Sequence, residues 1–213
     1  MAHVRTAVLN GCRDPSQALS SQIRTSTRSA HLAVEEVFAL DVRLADRATY
    51  ADLLRVLRDF YGSAEDALGL LGGWECLTPT IDVDARRRAG LIDGDLAHLG
   101  AGSRLPTHSP VFAAGLGSLA AGLGCLYVLE GSALGGRIVA HRARQALGRD
   151  VPVGFFSSAG REHLGADWSS LLSALDSFGA AQGVDACDIA VASACETFRA
   201  LGVALVMAPE SAR

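Results

Sequence analysis

An all-α, single-domain helical bundle is the fold class this chain predicts, and three observations predict it. Apolar residues recur at helical spacing through nearly every long segment, and no stretch sustains period-two alternation with β-branched enrichment. Glycine pairs and Gly/Pro/Ser-rich connections separate the segments, with no internal repeat, low-complexity tract or interdomain linker. The 213 residues, 49% hydrophobic and 20% charged, suffice to bury one full core.

Each element follows from its own pattern. Ile23, Thr27, Ala30, Val34, Val37 and Phe38 share one face of a first helix. Tyr50, Leu53, Leu54, Leu57, Tyr61, Ala64 and Leu68 define a second, ended by Gly72 and Gly73. Leu91, Ile92, Leu96 and Leu99 mark a third, closed by Gly100. A long fourth runs from Pro110 to Leu147, with Gly148 as its stop and an interruption at internal glycines. Trp168, Leu171, Leu172, Leu175 and Phe178 give a fifth. Ile189, Ala192, Glu196, Phe198, Leu201 and Leu205 give a sixth. The expected boundaries are a loose extension over 1–20, the helical domain over 21–206 and a short tail over 207–213.

Composition narrows the function classes. A net charge of −4, without a lysine- or arginine-rich block, gives no electrostatic reason to expect nucleic acid as partner. Five cysteines, Cys12, Cys76, Cys125, Cys187 and Cys195, are odd in number and form no C-x-x-C pair, which points to free thiols in a reducing, cytoplasmic compartment. The N-terminus lacks an apolar core of signal-peptide length. Val111 to Leu129 is long enough to cross a bilayer, but four glycines, several alanines and Ser118 dilute it, and Glu130 follows with no basic flank. It reads as a buried helix, and no membrane partner is expected.

The most informative stretch is LYVLEGSALGGRIV, Leu126 to Val139, which sets Gly131, Gly135 and Gly136 inside a helix. Each interior glycine costs about 1 kcal/mol relative to alanine, so something compensates. Gly131 and Gly135 fall on one face, where a flat ligand or a closely packed helix would each find bare backbone. The segment is no phosphate cradle: it lacks the Lys-Ser/Thr ending of a P-loop, and no strand precedes it.

His31 is the strongest candidate ligand. It sits mid-helix on the face of Thr27, Val34 and Phe38, with Arg24 and Arg28 before it and Glu35 one turn after. A ligating imidazole usually donates its second N–H to a carboxylate or carbonyl, and Glu35 fits that place. A half-buried histidine paired with a glutamate fits the same residues. His3, His98, His108 and His163 have no companion at metal-ligand spacing, so a multi-histidine zinc site is not expected. His141 is assigned to solvent, and Arg137, one turn before it, fits site and solvent equally. With no acid/base carboxylate pair and no Ser-His-Asp set, the chain lacks groups for demanding chemistry of its own, so a cofactor that brings reactivity is the natural completion.

R-x-x-T-x-x-x-H-x-x-x-E (Arg24, Thr27, His31, Glu35) together with LYVLEGSALGG resembles the bacterial biliverdin-producing haem oxygenases, in particular the phytochrome-operon-like subgroup. RRRAGLIDGDLAHLG (Arg86 to Gly100), GFFSSAGREHLGADW (Gly154 to Trp168), ACETF (Ala194 to Phe198) and the segment Tyr50 to Leu68 fit the same family in order and spacing. The resemblance covers about Ile23 to Leu205.

What the resemblance implies is a bundle that clamps haem b between a proximal helix bearing His31 and a kinked distal helix bearing Gly131 and Gly135. Haem would be both cofactor and substrate, with O2 as co-substrate and biliverdin, CO and ferrous iron as products. The implied partners are haem, an external electron donor such as a ferredoxin or flavin reductase, and a bilin-accepting phytochrome. His31 would be the metal ligand and Gly131, Ser132 and Gly135 the catalytic face. Arg24, Thr27, Glu35, Tyr127, Gly136, Arg137 and Phe198 would line the cofactor site, with Arg24 meeting the propionates. Two departures stand out. Animal-type members carry an aspartate where this chain has Ser132, and basic residues in the fifth helix where it reads WSSLLSALDSF. A haem or bilin carrier without turnover and a haem-free enzyme on the same architecture are the rival readings.

Overall fold

The computed structural model describes residues 17–101, 112 and 115–207. Among them the chain forms eight α-helices and no strand: α1 (Leu19–Phe38), α2 (Leu40–Arg43), α3 (Arg47–Gly69), α4 (Ala89–His98), α5 (Leu119–Leu147), α6 (Gly154–Ser157), α7 (Leu164–Gln182) and α8 (Val184–Met207). The all-α prediction is met, and the six expected helices appear as α1, α3, α4, α5, α7 and α8. The single-turn helices α2 and α6 were not expected, since four residues cannot show a periodicity. Residues 1–16 and 208–213, with His3, Cys12, His108 and the expected helix start at Pro110, lie outside the described residues.

Local chemistry sets the boundaries. Asp46 caps α3 by accepting from the Thr49 N–H at 2.8 Å, while the Thr49 hydroxyl meets the Asp46 N–H. Helix α5 begins at Leu119, later than the apolar pattern predicts. Gly115 and Gly117 adopt φ of 74° and 72°, a left-handed backbone that no helix interior holds, and Ser118 then accepts from the Ala121 N–H at 3.2 Å. From there α5 runs unbroken to Leu147, so its glycines do not interrupt it. Gly148, at φ 103°, ends it as expected.

Helix α8 is the central strut. It packs extensively against α5 on one side and α1 on the other, while α1 and α5 make few contacts with each other. The α5–α8 crossing is close because Gly124 has no side chain: a Cβ there would sit 2.0 Å from the Ala190 carbonyl oxygen. Both α5 and α8 are long and apolar enough to cross a bilayer by length and composition, and in this fold both contribute to the bundle core. Asp95 of α4 accepts from the Gly154 and Phe155 N–H groups at 2.8 and 2.9 Å, and the Tyr50 hydroxyl donates to the Pro152 carbonyl at 2.8 Å. These bonds tie α6 and the turn before it to α4 and α3, and α6 in turn lies against α5 at Gly136.

Candidate functional site

The residues singled out in the sequence fall mainly on α1 and α5, the two helices that flank α8. On α1, His31 is half exposed, at 54% of its side chain, and its ring meets Phe198 of α8 edge to face at 5.4 Å. Its Nδ1 stands 3.6 Å from Glu35 Oε1, which is ion-pair range but too long for a hydrogen bond. Nε2 is the nitrogen turned away from that contact. Glu35 is itself 62% exposed, so it can follow the imidazole. Thr27 is buried, and its hydroxyl donates to the Ile23 carbonyl at 2.8 Å. With its hydroxyl engaged by its own helix, Thr27 presents its methyl group and backbone to its neighbours.

On α5 the glycines divide into two kinds. A Cβ at Gly136 would meet the Phe156 carbonyl oxygen at 2.4 Å, so this buried glycine exists to let α6 approach. Gly136 was expected on the cofactor-binding face, and the neighbour it meets here is α6. A Cβ at Gly135 would meet nothing within 4 Å, and one at Gly131 would meet the Trp168 ring only at ordinary contact distance, 3.5 Å. Gly135 thus retains a bare surface that no packing in the bundle explains, while Gly131 is partly covered by Trp168. Tyr127, one turn before Gly131, stacks on Trp168 with ring centroids 5.0 Å apart. Burial pushes its phenol above the ordinary tyrosine value, and the positive charge of Arg24 opposes that shift. Arg24 on α1 is therefore near enough to Tyr127 on α5 to be felt electrostatically. Arg28, Arg137 and His141 are exposed, and no hydrogen bond or ion pair holds Arg137 among the described residues.

Ser132 is less isolated than a lone exposed serine. Its hydroxyl donates to the Leu129 carbonyl at 2.6 Å and lies 2.5 Å from the Tyr61 hydroxyl and 3.0 Å from an Arg88 nitrogen. Sequence reasoning missed Tyr61 and Arg88 as site residues. Tyr61 occupies an apolar position of its helix, and Arg88 is one of three consecutive arginines. A second cluster lies one residue before Gly131. Buried Glu130 accepts from Arg86 at 2.9 Å and twice from Arg161 at 2.8 Å, and Arg161 also donates to Asp167 at 2.7 Å. These bonds hold the start of α7, and with it Trp168, against α5.

A groove of about 530 Å³ also runs between α1 and α8, lined by residues that include Ser29, Ala33, Val37, Phe198 and Val206. Ser29 and Ala33 lie across the helix from His31, so Val34, on the histidine's own face, and Phe198 connect this groove to the histidine. Among the described residues no group of three or more His, Cys, Asp and Glu side chains could hold a metal ion. Haem would suit the donor set that is present, because its iron asks the protein for a single imidazole while the porphyrin supplies its own four nitrogen ligands.

No protein-family model and no curated protein sequence matches the chain. Solved structures do. Haem oxygenase 2 from Chlamydomonas reinhardtii, determined without haem, superposes with a TM-score of 0.75 at 22% identity, covering 92% of this chain and 100% of that one. Haem oxygenase-1 from the cyanobacterium Synechocystis, in complex with haem, gives 0.70 at 16% identity, covering 89% and 91%. The haem oxygenase of Leptospira interrogans gives 0.69 at 18%, covering 89% and 98%. The chain therefore has the helical fold of the haem oxygenases of bacteria and algae.

Proposed function

We propose that this protein is a haem oxygenase that opens haem to biliverdin, CO and ferrous iron, using O2 and electrons from an external donor. The observation that carries the reading is a pairing on the haem oxygenase fold. A half-exposed imidazole stands on α1, and a bare helix face at Gly135 stands on α5, with α8 between the two helices. Haem, as cofactor and substrate together, would supply the iron and the oxidisable macrocycle.

The chain's own residues supply binding and orientation. His31 offers Nε2 as the ligand while Glu35 stands beside Nδ1 and sets the ring orientation once the imidazole is engaged. Phe198 supports the imidazole from α8. Arg24 is the charged group of α1 whose field reaches the α5 wall, and it suits a carboxylate of the ligand's edge. Gly131 and Gly135 let a flat ligand lie close to the α5 backbone, and the Tyr127–Trp168 stack closes one side. Ser132 places a hydroxyl next to that bare face. A ferredoxin or flavin reductase suits the donor role, a bilin-accepting phytochrome suits the product, and the odd, widely spread cysteines suit a cytoplasmic setting.

Adding haemin to the protein should give the Soret spectrum of a histidine-ligated haem, and adding a reductant in air should replace it with a bilin band. His31→Ala should abolish the ligated spectrum. If the variant keeps it, the ligand lies elsewhere. Haem binding without a bilin band would make the protein a carrier.

A further inference from the structure

We propose that Arg88 is a positioning residue of this site: a buried fixed cation that acts through Ser132 and makes the space beside Gly131 and Gly135 electropositive. The inference rests on the haem reading of that space.

Arg88 is 3% exposed, and an arginine buried to this degree is normally paired with a carboxylate. Among the described residues no carboxylate stands within ion-pair distance of its guanidinium. The Glu65 carboxylate is turned to the backbone instead, accepting from the Arg88 N–H at 2.7 Å and the Ala89 N–H at 3.2 Å. The guanidinium lies over the rings of Tyr61 and Phe155, 5.1 and 5.0 Å from their centroids. Its remaining partners are on α5, the Leu129 carbonyl at 2.6 Å and Ser132 Oγ at 3.0 Å. Its direct contacts are thus dipoles and ring faces, while the Glu65 carboxylate is near enough to interact with the charge but not to form an ion pair with it.

Proton counting then orients the network. The single hydroxyl proton of Ser132 goes to the Leu129 carbonyl, so its oxygen accepts from Arg88 and from the Tyr61 hydroxyl. Tyr61 is 2% exposed and Arg88 scarcely more, whereas Ser132 itself is exposed. The cation therefore reaches the open face of α5 through one serine, with little water between them to screen it. A ligand atom that gains negative charge beside Gly131 and Gly135 would be stabilised there.

The test uses carbon monoxide as a field probe on the reduced haem complex, read by the infrared frequency of the C–O stretch. A nearby positive charge lowers that frequency. Arg88→Met, which keeps much of the aliphatic stem, should raise it. Arg88→Lys should restore it toward wild type, and Ser132→Ala should move it by cutting the link while the cation stays. Failure of the wild-type protein to bind haemin would overturn the functional reading and this inference with it. Haem binding by all four proteins with the same C–O frequency would overturn the role of Arg88 alone. Should Arg88→Met fail to fold, Ser132→Ala and Arg88→Lys decide the matter, since one cuts the contact at an exposed position and the other keeps the charge.

Discussion

The α1 and α5 walls of the site are built to opposite rules. Along α1, His31 and Glu35 are exposed and lightly held, the first leaning on one ring and the second standing at ion-pair range, while Thr27 is buried and engaged with its own helix. The helix has no side-chain N-cap, and its start is tied by Ser20, whose N–H donates to Asp176 of α7 at 2.8 Å. On α5 the corresponding stretch is anchored from three directions. Glu130 binds two arginines, Ser132 binds Arg88 and Tyr61, and Gly124 and Gly136 bring neighbouring backbones close. The difference teaches where precision is invested: along this stretch α5 is fixed by ion pairs, hydrogen bonds and close backbone contacts, and α1 presents His31 and Glu35 with little to hold them.

The largest effect expected from breaking that contrast is at Glu130. Truncating this carboxylate leaves Arg86 and Arg161, with side chains 9% and 10% exposed, without their main counter-charge. Removing one partner of a buried ion pair costs about 3–5 kcal/mol. Glu130→Ala should lower the chemical-denaturation midpoint accordingly, whereas Glu35→Ala on α1 should leave it nearly unchanged. Equal losses at the two positions would erase the distinction between the walls.

Next in size are the packed glycines. Gly124→Ala drives a methyl to 2.0 Å from the Ala190 carbonyl, and overpacking of this kind costs about 1–3 kcal/mol or more. Gly136→Ala should behave in the same way against Phe156. Thermal melts of the protein without haem measure both. Unchanged melting temperatures would show that α6 and α8 yield easily and that α5 is no more fixed than α1.

A smaller effect sits beside Arg88. Burial, the largest influence, holds the Glu65 carboxyl above the usual glutamate range despite the N–H bonds of Arg88 and Ala89, which pull it down. Between the ordinary glutamate value and that raised one, the folded protein binds more protons than the unfolded chain, so stability falls as pH rises. Glu65→Gln removes the titration while keeping a carbonyl acceptor. The stability of wild type relative to this variant should therefore decline from about pH 4 upward. A difference that does not change with pH would mean that Glu65 is no more buried in charge terms than an exposed glutamate.

The sequence carried the fold well because helical periodicity survives in every long element, from Ile23 on α1 to Leu205 on α8. It singled out Gly135 and His31 as candidates by spacing and residue type. It could not separate Gly135 from Gly136, because adjacent helical positions point about 100° apart and what each meets depends on α6, a single turn with no pattern of its own. The arginine run shows the same limit. Arg86 binds Glu130, Arg87 binds Asp66 at the surface, and Arg88 binds Ser132, so three identical neighbours take three destinations that only the tertiary structure assigns. The late start of α5 was hidden for a different reason: the apolar pattern continues through Gly115 and Gly117, and their positive φ is a backbone property that hydrophobicity does not record.

The smallest expected change in stability is also the most discriminating for function. Replacing Gly135 removes an intrinsic helix penalty of about 0.5–1 kcal/mol, and with nothing within 4 Å of its Cβ position the fold meets no immediate clash. Gly135→Leu should therefore leave the protein without haem as stable as wild type or slightly more so. The same side chain projects into the bare face of α5 where the flat ligand is to lie, so haemin affinity or bilin formation should fall steeply. The two effects have opposite signs, which separates this position from Gly124 and Gly136, where stability and function are expected to fall together. A Gly135→Leu protein that melts normally, binds haemin and forms bilin at the wild-type rate would show that the open face of α5 is not where the ligand sits.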